Sequence, residues 1–157
     1  MNPLDAILNK GGAGKSLSRP ETAEYLVPLV DQHNQLIFAY ERAIETLDDR
    51  SIAQLLNDLQ PRNRSDIQKL DEMVYSNGGS APNGTDLDPE DFELGNSDEQ
   101  RLESLFDREQ TFRDAVKTEH ERRKPRRHAF RTLGTLENVL NGSNGRLDTL
   151  EELRRTV

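Results

Sequence analysis

Cysteine is absent, which excludes a disulfide framework and any thiolate metal site. Tryptophan is absent as well, and aromatic residues make up only 5% of the chain. Apolar residues are 32%, as many as the charged ones. So lean a composition suits helices that each bury a single stripe. No apolar run approaches the roughly 20 residues that span a bilayer, which speaks against a membrane protein. The opening stretch, MNPLDAILNK, has neither a basic start nor a long apolar core, so it does not read as a signal peptide. A cytoplasmic location is the expectation from these features. Lysine is scarce, with 5 against 16 arginines and 29 acidic residues. The net charge of −8 disfavours nucleic acid and anionic membranes as partners of the surface as a whole. Acid-rich, lysine-poor surfaces are a halophile habit; an ordinary acidic protein from a GC-rich genome has the same look.

What is present is periodicity. The first 20 residues, with Gly11, Gly12, Gly14 and Pro20, read as an N-terminal tail. Residues 21–157 read as one domain of four helices, at about 22–47, 51–77, 98–124 and 127–155. In the first, Leu26, Leu29, His33, Ile37, Tyr40, Ile44 and Leu47 share one face. Ile52, Leu55, Leu59, Asn63, Asp66, Leu70 and Met73 repeat the spacing in the second. The third carries Leu102, Leu105, Glu109, Phe112, Val116 and Glu119, and the fourth Phe130, Leu133, Leu136, Leu140, Ser143, Leu147 and Leu150. The string Asn141-Gly142-Ser143-Asn144-Gly145 resembles a turn, but the stripe keeps its phase through it. That favours a continuous helix despite a cost of roughly 1 kcal/mol per glycine.

Two short links and one long one, residues 78–97, predict an all-α antiparallel four-helix bundle with a crossover between helices 2 and 3. Helices 2 and 3 then run parallel. With this architecture, and with Phe38-Ala39-Tyr40-Glu41-Arg42-Ala43 in the first helix, residues 22–155 resemble the ferritin-like superfamily, and more narrowly its uncharacterised bacterial families. Metal-binding members take a Glu from each of two helices and a Glu-x-x-His from each of the other two. The resemblance maps Glu41 and Glu109 onto the single glutamates. The second helix offers Asn63-Arg64-Ser65-Asp66 where Glu-x-x-His is needed, and the fourth Asn141-Gly142-Ser143-Asn144. Glu41, Asp66 and Glu109 are therefore a poor metal set, and neither a metal nor a cofactor is expected.

Three further features carry candidate chemistry. Lys10-Gly11-Gly12-Ala13-Gly14-Lys15-Ser16 matches a phosphate-loop string, but no buried strand precedes it and no α/β pattern follows, so it reads as a basic tail. Arg122, Arg123, Lys124, Arg126 and Arg127 form a basic patch between helices 3 and 4, suited to an anion, RNA or an acidic partner, or simply to the C-terminus of helix 3. The carboxylates of Asp86, Asp88, Glu90, Asp91 and Glu93 lack the spacing of a calcium loop.

His33, Tyr40, Glu41, Asn63, Asp66, Glu109 and Asn144 fall on or beside inward stripes near mid-helix, which predicts a buried polar layer. Arg62, Arg64 or Arg113 is expected to neutralise its carboxylates. Val27, Leu36, Leu56 and Val74 lie beside the main stripes and suggest a homodimer or another protein partner. The functional expectation is a non-catalytic ferritin-like bundle acting by binding or assembly, with a stress-related role implied by the resemblance. The alternatives are a residual carboxylate-metal oxidase or metal-storage protein, and a partner- or nucleic-acid-binding module built on Arg122–Arg127.

Overall fold

The computed structural model describes residues 15–157. Four helices make the fold: α1 Arg19–Thr46, α2 Arg50–Ser76, α3 Asp98–His120 and α4 Phe130–Thr156. Their starts follow from local chemistry. Ser18 and Glu21 form a reciprocal capping box at α1, and Asp49 and Ser97 cap α2 and α3 with side-chain oxygens. Ala129 starts α4 without a side-chain cap. Pro28 and Pro61 are accommodated inside unbroken helices. The segment Asn141–Gly145 is helical throughout, as its phase requires.

The N-terminal boundary differs from the expected tail. Leu17 is buried, its N–H donates to the Arg127 carbonyl at 2.8 Å, and Ser16 bridges to Arg127. With the capping box beginning at Ser18, residues 16–20 belong to the bundle. Lys10 to Gly14 of the phosphate-loop string lie outside the described residues.

Contacts fix the direction of each helix. His33 of α1 meets Asn63 of α2, while the Ile37 carbonyl, one turn on, meets Gln60, so α1 and α2 are antiparallel. The Asp98 carboxylate at the start of α3 accepts the N–H groups of Asp48 and Asp49, just past the end of α1. Glu103 pairs with Arg154 and Glu109 with Ser143, so α3 and α4 are antiparallel. Helix α1 packs on α2 and α3, and α4 packs on the same two from the other side, leaving α2 and α3 diagonal and parallel. The crossover makes this order possible. It runs back along α1, where Asn34 Nδ2 donates to the Pro82 carbonyl at 2.8 Å, and buries Phe92 and Leu94.

The inward faces depart from the sequence reading in two helices. In α2 the expected Ile52, Asn63, Asp66, Leu70 and Met73 are buried, but Ala53, Leu56 and Gln60 complete the face in place of Leu59 and of Leu55, which is 48% exposed. In α4 the expected Leu136, Ser143, Leu147 and Leu150 are buried and are joined by Val139, Arg146 and Leu153, while Phe130 is 93% exposed. In these two helices a phase read from leucines alone slips where Gln60 and Arg146 take core positions. Leu36, Leu56 and Val74 are buried inside the bundle, and Val27 is packed against its core. The apolar surface expected to drive a homodimer is thus internal. Among the described residues no helix is long and apolar enough to cross a membrane.

Candidate functional site

The middle of the bundle is polar. Tyr40, His33, Gln60, Asn63, Asp66, Glu109, Ser143 and Arg146 are all at most 2% exposed. At its centre Glu109 of α3 accepts hydrogen bonds from α1 and α4. Tyr40 Oη donates at 2.6 Å, Ser143 Oγ at 2.8 Å and Arg146 Nε at 2.6 Å, with Arg146 Nη2 at 3.4 Å. The same guanidinium turns Nη1 towards Asp66 Oδ2 of α2, 3.5 Å away. One cation on α4 therefore ties together carboxylates from the two diagonal helices. Arg62 Nε closes the outer side of Asp66 at 2.9 Å, and its Nη2 reaches the Asn138 carbonyl of α4.

Beside this charged cluster runs a neutral chain. Gln60 Nε2 donates to the Ile37 carbonyl, and Asn63 Nδ2 donates to Gln60 Oε1 at 2.9 Å. That leaves Asn63 Oδ1 as an acceptor, so His33 Nε2, 3.2 Å away, must carry the proton and donate. The imidazole lies on Phe112 with centroids 4.4 Å apart. Burial, reinforced by the Arg146 charge, lowers the His33 pKa to about 3. His33 is thus a neutral member of the layer. Burial and the Glu109 charge hold Tyr40 well above its ordinary pKa, which keeps its hydroxyl a donor. Burial works against the Arg146 charge, but the Glu109 carboxylate outweighs it and raises the guanidinium's pKa.

Five of the seven residues expected in this layer meet there. Glu41 does not: it is half-buried, with burial and then Glu45 raising its pKa and Arg64 opposing. Its neighbour Tyr40 is the residue that points to Glu109. Asn144 lies at the edge, where Arg113 donates to it at 3.3 Å. Of the cations expected to neutralise the carboxylates, Arg62 does so from the rim, and the central one is Arg146. Arginine reads as solvent-facing by default, yet position 146 lies three residues after Ser143 and four before Leu150, on the same stripe.

The di-iron centre implied by the ferritin-like resemblance does not fit these residues. Asn63, Asn141 and Asn144 stand where stronger ligands are needed, and the Arg146 guanidinium lies between the two buried carboxylates. Among the described residues no three His, Cys, Asp or Glu side chains come together as a metal-holding group.

The basic patch lies at the opposite extreme of burial, at the α3–α4 end. Arg122 forks onto Glu119 at 2.7 and 2.8 Å and covers the Tyr25 ring at 3.7 Å. Buried His128 lies 2.9 Å from the same carboxylate. Burial alone would raise the Glu119 pKa, but hydrogen bonds from Arg122 and His128 prevail and hold it at about 2. Arg126 pairs with Glu21. Arg123, Lys124, Arg126 and Arg127 are exposed. Searched against protein-family models, curated proteins and solved structures, the chain matches none.

Proposed function

We propose that this chain is a non-catalytic bundle of ferritin-like descent that acts by binding or assembly. The single observation that carries the reading is the guanidinium of Arg146 between Asp66 and Glu109, 3.5 and 2.6 Å from their oxygens. A buried cation there hydrogen-bonds Glu109 and offsets the charge of Asp66, and its positive charge opposes entry of another cation. The parallel, diagonal α2 and α3 with a long crossover support the kinship with ferritin-like bundles.

Chemistry at this centre would also need room and a titrating group near neutral pH. His33 is neutral through the physiological range, and Tyr40 keeps its proton. The layer thus reads as a device that fixes helix register, the best-attested use of buried polar groups. Elemental analysis of protein purified after growth with added iron and manganese tests the reading. It predicts no stoichiometric metal. Metal bound in whole-number ratio to the chain, and missing from Glu109→Ala, would establish the oxidase or storage alternative instead.

A further inference from the structure

The net charge of −8 is unevenly placed. Between Glu121 and Glu137 the chain has six cations, Arg122, Arg123, Lys124, Arg126, Arg127 and Arg131, and no acid. The fold gathers them at one end of the bundle, where α3 finishes and α4 begins. Two of the six are used internally. Arg122 grips Glu119 and donates to the Lys124 carbonyl, and Arg126 pairs with Glu21 at the start of α1. Those interactions brace the loop. They leave Arg123, Lys124, Arg127 and Arg131 exposed, without a carboxylate partner among the described residues. The Ser16–Arg127 bridge brings exposed Lys15 to the same place.

Within this cationic end Phe130 is 93% exposed. It begins α4, between Arg127 and Arg131, so its backbone is fixed while its ring faces solvent. Tyr75, 77% exposed, lies in the last turn of α2 at the same end. Fixed cations around an open aromatic ring are the elements of a single-strand platform, in which guanidinium groups take phosphates and the ring stacks on a base. Three of the four unpartnered cations of the loop and α4 are arginines, whose planar fork suits phosphate oxygens better than an ammonium does. A membrane surface would call for several apolar side chains to insert beside the charges. An acidic peptide would satisfy the cations but give the open ring nothing to stack on.

We propose that this end of the bundle binds single-stranded nucleic acid, with Arg123, Lys124, Arg127 and Arg131 on phosphates and Phe130 stacked on a base. The acidic remainder of the surface repels the strand, which confines binding to this end and keeps the footprint short. The proposal rests on the reading of the bundle as a binding protein. Metal content reports on that reading and strand binding on this one, so either can fail alone.

The test is fluorescence anisotropy of labelled oligothymidylate against the full chain at several salt concentrations. Binding should weaken with salt. Joint substitution Arg123→Ala, Lys124→Ala and Arg127→Ala should flatten the log–log salt slope by about 0.7 for each phosphate that is no longer neutralised. Phe130→Ala should weaken binding about tenfold with the slope unchanged, and should have no effect on an abasic strand of the same length. Phe130→Trp introduces the chain's only indole, whose fluorescence should be quenched as the strand binds. Absence of binding at low salt would overturn the proposal. So would unquenched indole fluorescence in a bound complex, or tighter binding to polyglutamate or to phosphatidylserine vesicles than to the strand.

Discussion

A Cβ placed on Gly142 of α4 would lie 2.1 Å from Oδ2 of Asp66 on α2. The glycine is what lets a buried carboxylate sit against a helix backbone. Gly145, one turn on, has nothing within 4 Å of the corresponding point. The two glycines should therefore respond oppositely to the same substitution. Gly145→Ala should stabilise the protein by about 0.5–1 kcal/mol through helix propensity. Gly142→Ala should destabilise it by about 1–3 kcal/mol, because overpacking outweighs the same propensity gain. Urea unfolding of the two variants checks this.

Tyr40→Phe removes one of the donors to Glu109 and nothing else in the layer. Glu109 keeps Ser143 and Arg146 as partners, so the loss should be about 1.5–3 kcal/mol, the range for a hydrogen bond to a charged group. Thermal melts read this directly. A parent-like melt would place Glu109 outside the layer.

Acid should unfold the protein in two overlapping windows. The His33 pKa is about 3 in the fold against an ordinary 6.5. The unfolded chain thus binds the extra proton, and stability falls as pH drops below about 6.5, by about 1.4 kcal/mol per pH unit at the steepest. The Glu119 pKa is about 2 against an ordinary 4.5, so its contribution is present above 4.5 and is lost as pH falls from 4.5 towards 2. His33→Gln should flatten the dependence between pH 6.5 and 4.5, and Glu119→Gln only the part below. Denaturant midpoints measured across pH separate the two.

Much of this arrangement is legible in the sequence. Steps of three and four mark the four helices, and link lengths mark their order. The phase of α3 holds at every position, because Leu102, Leu105, Phe112 and Val116 leave Glu109 no other face. Where leucines are abundant the phase misleads. Leu55 and Leu56 are neighbours, and only the second is buried, because Gln60 rather than Leu59 supplies the next core position. Arg146 is illegible for the same reason: a long cation belongs on a surface unless two carboxylates await it inside, and those two come from other helices. Phe130 misleads in the opposite sense. It keeps the apolar stripe's phase, yet it stands at the open end of α4, where no other helix covers it.

Glu109 and Arg146 are each other's buried partner, in the place where a metal would otherwise stand. A double-mutant cycle with Glu109→Leu, Arg146→Met and the pair tests this most directly. Each single change strands a buried charge and should cost about 3–5 kcal/mol. The double variant, with both charges gone, should recover much of that loss, for a coupling of about 1–3 kcal/mol or more in denaturant unfolding. Losses that simply add would contradict the pairing, because Glu109 would then have its essential partner elsewhere.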